Sequence, residues 1–152
     1  MPVNWVCKSF NDLTSNELYA ILQLRNEVFV VEQNCPYQDA DNKDAAAFHF
    51  TGWSDDKIVA YTRLLPQGLT FKNASIGRVV TSPTARGTGI GRELMRRSIK
   101  ELYTLFGVVP IEIGAQLYLK KFYESLGFIK TSEMYLEDGI EHIEMILQPP
   151  IS

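Results

Sequence analysis

The apolar positions of the first thirty residues predict a helix as the first element of the chain. They recur at helical intervals as Leu18, Ile21, Leu22, Val28 and Phe29. Thr14 and Glu17 have the spacing of a capping box, which predicts the start of this helix. Arg25 falls on the same stripe, so its side chain is expected either to snorkel to solvent or pair with a carboxylate, or to act as a site cation facing the core cleft. Glu32–Asp44 lacks periodicity and is predicted to be a functional loop.

The middle of the chain predicts a strand meander. Ala47–Trp53 and Ile58–Leu65 are rich in aromatic and β-branched residues, and four polar residues separate them, which is typical of an antiparallel hairpin. Ser75–Thr81 is the third strand of this meander.

The second half alternates between helices and strands. The predicted elements are a helix from about Gly89 to Phe106, a strand at Val108–Gly114, a helix from about Gln116 to Leu126, and strands at Phe128–Leu136 and Ile140–Leu147. Gly127 is placed as a helix C-cap, and Asp138-Gly139 predicts a tight turn. The pattern as a whole indicates a mixed α/β fold.

Composition narrows the class of protein. The chain has 152 residues, 45% of them apolar, which fits one domain spanning residues 1–152. The net charge of −3 argues against a nucleic-acid coating protein. The longest stretch without Asp, Glu, Lys or Arg is ten residues, too short for a membrane helix. No basic segment followed by an apolar run opens the chain, so we expect a cytoplasmic protein with no membrane partner.

The charges are unevenly distributed. Arg86–Lys100 holds five basic residues and one acid, whereas Glu32–Asp44 holds four acids and one lysine. One end therefore suits an anion and the other a cation. Cys7 and Cys35 lack the spacing of a metal site and are expected to be free thiols, with no metal bound.

A glycine-rich segment, Arg86-Gly87-Thr88-Gly89-Ile90-Gly91, lies between a predicted strand and a predicted helix. Unpaired amides at a helix N-terminus and the helix dipole favour an anion such as phosphate. Arg92 and Glu93 occupy the positions where a P-loop needs Gly and Lys, and Arg92 also occupies the last Gly of a dinucleotide fingerprint. Both of those motifs are therefore excluded. The remaining alternatives are a different phosphate site and a tight turn with close helix packing.

Downstream motifs favour the phosphate site. Arg86-x-x-Gly-x-Gly after a strand, followed by Phe122-Tyr123-x-x-x-Gly127-Phe128, resembles the GNAT superfamily of acyl-CoA-dependent N-acyltransferases, and in particular its ElaA-like branch. Four further blocks resemble that branch: Gln23–Asp39, Ile76–Val79, Gly114–Gln116 and Glu137–Ile143. The resemblance implies a central, mostly antiparallel mixed sheet splayed between strands 4 and 5, with helices on both faces.

The resemblance also implies an acetyl-CoA site. The backbone of Val79, Val80 and Thr81 would bind the pantetheine arm, and the Val80 N–H would face the oxyanion. Gln116 would hold the cofactor or a water molecule. The pyrophosphate would be held by Arg86, Gly87, Thr88, Gly89, Ile90, Gly91 and Arg92.

Catalytic side chains are less clearly indicated. Tyr123 is the expected acid for the leaving thiolate, with a core aromatic residue as the alternative. Many relatives carry a Glu on the fourth strand, but Ser75–Thr81 contains no acid. The general base is therefore left open among Glu32, His49 and His142. Each histidine has a hydrogen-bonded structural role as its alternative. Glu32 has two alternatives, a substrate-side carboxylate and a solvated loop residue.

The implied reaction is direct acetyl transfer to a primary amine in a ternary complex. The acceptor is a small molecule or a protein amine, and the acidic segment suggests that it is cationic. The alternative is a non-catalytic acyl-CoA-binding module, which the missing strand Glu supports. The edge strands and Ile146–Ile151 leave room for a homodimer.

Overall fold

A computed structural model describes residues 2–151, which form eight strands and three α-helices. The strands are β1 Asn4–Ser9, β2 Phe48–Ser54, β3 Lys57–Leu65, β4 Ala74–Thr81, β5 Ile111–Gln116, β6 Ile129–Lys130, β7 Tyr135–Glu137 and β8 Ile140–Leu147. The helices are α1 Ser15–Arg25, α2 Ile90–Phe106 and α3 Lys120–Glu124, and a π-helical segment, Asn26–Glu32, continues α1.

All eight strands belong to one sheet, in the order β1-β2-β3-β4-β5-β8-β6, with β7 also pairing with β8. Every pair is antiparallel except β4 with β5, which is parallel. On one face, Leu94 and Leu102 of α2 pack in a core cluster with Ala60. On the other, Ile21 and Leu24 of α1 pack with Tyr61. The mixed sheet with helices on both faces is therefore confirmed.

The chain begins with a strand, so the expectation that its first element is a helix was wrong. β1 pairs with β2 from Asn4↔Trp53 to Ser9↔Phe48. Its residues are nearly all half-buried, so no clear alternation of apolar and polar side chains reveals it. Trp5 instead stacks on Phe50 across the pair, with ring centroids 5.5 Å apart.

Several predicted elements exist with different bounds. The capping box is confirmed, because the Thr14 side chain accepts from the Glu17 amide and the Glu17 carboxylate accepts from the Thr14 amide. The strand predicted at 108–114 lies at 111–116, and the helix predicted at 116–126 is a 3-10 turn followed by the short α3. The strand predicted at 128–136 is the separate β6 and β7. None of the helices within residues 2–151 is long and apolar enough to cross a membrane.

β4 departs from its neighbours soon after it begins. It pairs with β5 only at Ala74↔Ile111 and Ser75↔Glu112. On its other side the register with β3 runs from Arg63↔Gly77 to Tyr61↔Val80, so β4 has one extra residue there, which is a β-bulge. Arg78 lies in this bulge with φ of +50°. Since a bulge bends its strand, β4 turns away from β5, and a cleft opens between them.

Buried arginines hold the segment between the π-helix and β2. Arg25 is fully buried and contacts Asp39 and Asp44, each at 2.7 Å. Arg63 binds Asp41 at 2.7 Å and Asp44 at 3.0 Å. Arg25 therefore pairs with carboxylates, which is the first of the two roles expected for it. Burial would raise the pKa of Asp44, but hydrogen bonds and charge from Arg25 and Arg63 outweigh this effect and lower it.

We expect Asp44→Asn to lower the free energy of unfolding by about 3 kcal/mol, because it leaves two buried guanidinium groups short of a counter-charge. The lowered pKa of Asp44 also means that its stabilisation is present above the ordinary carboxyl pKa of about 4 and is lost as pH falls below it. The variant should therefore lose stability less steeply than the wild type as pH falls from about 4. Urea unfolding followed by circular dichroism across this pH range measures both effects.

Glu93→Gln is the matched control, because it removes a carboxylate from the exposed Glu93–Arg97 pair at 3.0 Å. We expect it to cost less than about 1 kcal/mol. Equal costs for the two variants would show that the buried network contributes no more than a surface pair.

Candidate active site

The glycine-rich segment forms the N-terminus of α2. Gly89 is the N-cap, with φ of +79° and no side-chain cap, and Gly87 has φ of +81°. The first backbone bond of the helix runs from the Glu93 amide to the Gly89 carbonyl at 3.2 Å, so the amides before Glu93 have no partner within the helix. A Cβ built at Gly87, Gly89 or Gly91 would meet no atom within 4 Å. The space beside these three glycines is therefore open.

The open edge of β4 leads to this loop. Val79, Val80 and Thr81 lie beyond the last β4–β5 pair, so their backbone on that side faces the cleft rather than a strand. A short 3-10 turn, Pro83–Ala85, connects β4 to the loop, and the Thr88 hydroxyl donates to the Ala85 carbonyl at 2.6 Å. An extended ligand arm along β4 and an anion at α2 could therefore be bound together.

Tyr123 is buried in α3, with 5% of its surface exposed. Its ring packs edge-on against Phe122 and Phe128, at centroid distances of 5.2 and 5.8 Å. Burial raises the pKa of its phenol above 10, and the nearby Tyr118 adds to this effect. The phenol therefore stays protonated at neutral pH, as a donor at this site must.

His142 and Gln116 face each other across β5 and β8, as opposite residues in the ladder. His142 Nδ1 donates to the Ile140 carbonyl at 2.7 Å, which leaves Nε2 as the acceptor nitrogen of the neutral ring. Nε2 lies 3.5 Å from a Glu137 oxygen, and the ring stacks on Tyr135. His142 thus has a nitrogen that can accept a proton.

His49 has no such free nitrogen. Its Nε2 donates to the Asp44 carbonyl at 2.9 Å, and its Nδ1 accepts from the Tyr61 hydroxyl at 2.6 Å. Burial lowers its pKa. The residue lies on β2, and two strands, β3 and β4, separate β2 from β5 in the sheet. The structure does not bring His49 together with Gln116 and His142, and its contacts are those of a hydrogen-bonded structural residue.

Glu32 lies at the end of the π-helical segment and binds Arg86 of the glycine-rich loop. The Arg86 Nη atoms donate to the two Glu32 oxygens at 2.6 and 2.7 Å. Arg86 lowers the pKa of Glu32 through this hydrogen bond. At the other end of the loop, Arg92 donates to the Ser125 hydroxyl at 2.6 Å.

The acidic segment is neutralised in the structure, which corrects the expectation that it attracts a cationic acceptor. Each of its four carboxylates contacts an arginine: Glu32 with Arg86, Asp39 with Arg25 and Arg78, Asp41 with Arg63 and Arg78, and Asp44 with Arg25 and Arg63. Carboxylates whose charge is matched by adjacent guanidinium groups offer no excess negative charge to a ligand. The segment is therefore an ionic anchor.

Sequence reasoning missed two residues that shape this site. Gln33 exchanges amide hydrogen bonds with Gln116 at 3.3 and 3.4 Å, joining the end of the π-helical segment to the end of β5. Arg78 places the bulge in β4. Neither has a local signal, because the partner of Gln33 is 83 residues away and an arginine inside a strand pattern does not indicate a positive φ.

Neither cysteine is bonded: Cys7 is half-buried and Cys35 is buried, and both are free thiols. Among residues 2–151 no group of three or more His, Cys, Asp or Glu side chains is arranged to hold a metal ion.

Comparison with known proteins agrees with this geometry. The chain is 43% identical over 145 residues to protein ElaA of Escherichia coli K12, covering 94% of this chain and 95% of that protein. The crystal structure of E. coli ElaA superposes with a TM-score of 0.90 at 41% identity, covering 97% of this chain and 100% of that one. An acyl-CoA N-acyltransferase from Pseudomonas aeruginosa superposes with a TM-score of 0.92 at 44% identity, covering 96% and 99%.

The family model described as "Acetyltransferase (GNAT) domain" matches residues 11–149. With this match, the relatives of similar length and the sheet that opens between β4 and β5, the chain belongs to the GNAT family of acetyltransferases.

Proposed function

We propose that this acyltransferase moves an acetyl group from acetyl-CoA directly to a primary amine, with both substrates bound in one cleft. The observation that carries the proposal is the row of unpartnered amides at the α2 N-terminus, open above Gly87, Gly89 and Gly91, at the end of the unpaired β4 edge. A diphosphate joined to an extended amide-bearing arm has the shape and charge that this arrangement accommodates.

The proposed chemistry uses a backbone N–H that stabilises the oxyanion, a base that takes the amine proton, and a donor to the leaving sulfur. The amine nitrogen bonds to the thioester carbon, a backbone N–H on the open side of β4 stabilises the oxyanion, and the carbon–sulfur bond then breaks. Val80 is not that donor, because its register opposite Tyr61 directs its N–H to β3.

His142 Nε2 takes the amine proton, because Nδ1 donates to the Ile140 carbonyl and leaves Nε2, 3.5 Å from a Glu137 oxygen, as the acceptor nitrogen of the neutral ring. Glu32 is the alternative base when it is not bound to Arg86.

Tyr123 is proposed to stabilise the leaving sulfur. A thiol pKa of about 8.5 is below the pKa of about 10 of an ordinary phenol, and burial of Tyr123 widens this gap. A completed thiolate would therefore not remove the phenol proton. Tyr123 acts as a hydrogen-bond donor to the sulfur while the carbon–sulfur bond breaks, and the proton is shared at that stage.

Thiol release from acetyl-CoA with a panel of amines tests the proposal. The panel contains alkyl diamines, arylalkylamines, amino acids and a peptide with a free N-terminus. We expect amine-dependent release of CoA together with the acetylated amine by mass spectrometry. Tight CoA binding without release for any amine would favour the non-catalytic binding module instead.

Gly91→Ala is expected to change stability and CoA affinity in opposite directions. Gly91 lies within α2 with open space around it, so alanine should stabilise the fold by about 0.5 kcal/mol. The added methyl group would occupy the space proposed for the diphosphate, so we expect CoA to bind at least about tenfold more weakly, a loss of about 1.4 kcal/mol. Thermal unfolding and calorimetric titration with CoA measure the two effects.

Thr104→Ala is the matched control, since Thr104 is exposed near the other end of the same helix. It should also raise helix stability, with no change in CoA affinity. Unchanged affinity in Gly91→Ala would place the diphosphate elsewhere.

Tyr123→Phe is expected to lower kcat by roughly 100-fold, because it removes the donor to the leaving sulfur while the ring keeps its packing. The dissociation constant for CoA should stay within about twofold, since the ground state does not need this bond. Steady-state kinetics and CoA titration separate the two quantities. A kcat equal to that of the wild type at every pH would remove Tyr123 from the mechanism.

A further inference from the structure

The Glu32–Arg86 ion pair connects two segments on either side of the proposed donor site. Both terminal nitrogens of Arg86 and both oxygens of Glu32 take part, at 2.6 and 2.7 Å. The partners are 54 residues apart, and each side chain is a little over 40% exposed. An exposed pair of this kind contributes little to folding, so stability alone does not account for it.

The residues next to Glu32 fix where its carboxylate sits. We call Glu32–Cys35 the strap, because it reaches three elements around the cleft. Glu32 contacts the glycine-rich loop, Gln33 exchanges hydrogen bonds with Gln116 of β5, and the Cys35 thiol contacts the Asp138 carbonyl in the β7–β8 turn at 3.2 Å. The contacts of Gln33 and Cys35 therefore hold the chain at Glu32 beside the loop, within reach of Arg86.

A diphosphate and the Glu32 carboxylate compete for the same guanidinium group. The end of the Arg86 fork that would bind a phosphate bidentately is occupied by Glu32. The carboxylate also carries the same sign of charge as the incoming diphosphate and neutralises the arginine that would attract it. Both oxyanions cannot use that end of the fork at once.

We propose that Glu32 is an ionic latch on Arg86 that the donor's diphosphate displaces, so that Glu32 lowers the affinity for diphosphate-bearing donors. The inference rests on the proposed function in one respect, the binding of the diphosphate at the α2 N-terminus. The latch weakens the binding only of donors that carry a diphosphate, because a thioester without one binds without displacing Glu32 from Arg86.

Calorimetric titration of CoA into wild type and Glu32→Gln at low ionic strength tests the latch. We expect the variant to bind CoA about fivefold more tightly, because Arg86 is then available to the diphosphate without displacement of a carboxylate. At about 1 M salt, where the Debye length is about 3 Å, the two proteins should converge. Pantetheine, which lacks the diphosphate, should bind both proteins equally.

Glu93→Gln is the matched control. Glu93 also forms an exposed ion pair with an arginine, Arg97, and it lies in the first turn of the same helix. Glu93→Gln changes the net charge of the protein by the same amount as Glu32→Gln. A similar gain in CoA affinity in both variants would show that the net charge, and not the Glu32–Arg86 pair, causes the effect, and it would overturn the latch. We expect a change below about twofold for Glu93→Gln.

A double-mutant cycle with Arg86→Gln makes the test specific to the pair. Without Arg86, Glu32→Gln should produce less than half of its gain in affinity, measured as a free energy. A full gain in that background, or no gain in the wild-type background, overturns the latch. If CoA binds neither wild type nor Glu32→Gln, both the latch and the proposed donor fail, whereas binding by wild type without a gain in the variant leaves the donor assignment intact and removes the latch.

Discussion

The separation of β4 from β5 determines where the cleft of the candidate active site lies. Two residue pairs join the strands, at Ala74 and Ser75, and the backbone of β4 beyond Gly77 faces a cleft. The bulge at Arg78 is the physical cause, because an extra residue bends β4 away from its neighbour. A positive φ at a residue other than glycine costs about 1–3 kcal/mol. Arg78 bears this cost because its guanidinium group contacts Asp39 and Asp41.

The same contacts therefore anchor the acidic segment and support the bulge that opens the cleft, because Arg78 of the bulge binds Asp39 and Asp41 of that segment. Arg78 draws Asp39 and Asp41 to the bulge, while Arg25 and Arg63 hold Asp39, Asp41 and Asp44 from the α1 face of the sheet. Each of the six side chains contacts two partners of opposite charge, so removing any one charge leaves two partners with one ion pair each, which makes the set cooperative. The contrast between an acidic and a basic end of the sequence thus has a structural meaning: the acids of one segment are the counter-ions of arginines from four others.

The parts of the fold predicted from sequence are those whose cause is local. The capping box at Thr14, the β2–β3 hairpin and the helix after Gly89 each follow from residues within a few positions of one another. β1 was missed because an edge strand with half-buried residues on both faces lacks a period-two pattern. Arg25 on an apolar stripe indicated a buried cation, but its carboxylates lie 14 and 19 residues away in a segment without periodicity. The glycine-rich loop could be predicted for the same reason, because glycines between a strand and a helix form a local sequence pattern.

The π-helical segment explains the position of Glu32, which differs from the one that continued α-helical periodicity would give it. Seven residues after Arg25, Glu32 would fall on the buried stripe of a continuous α-helix, where an unpaired carboxylate is strongly disfavoured. The wider turn of Asn26–Glu32 changes the phase of the side chains after Val28, which remains buried. Val31 is consequently 67% exposed, and Glu32 points out to Arg86. Exposure of Val31 and the rarer helix geometry both cost free energy. The same geometry places the Glu32 carboxylate beside the glycine-rich loop.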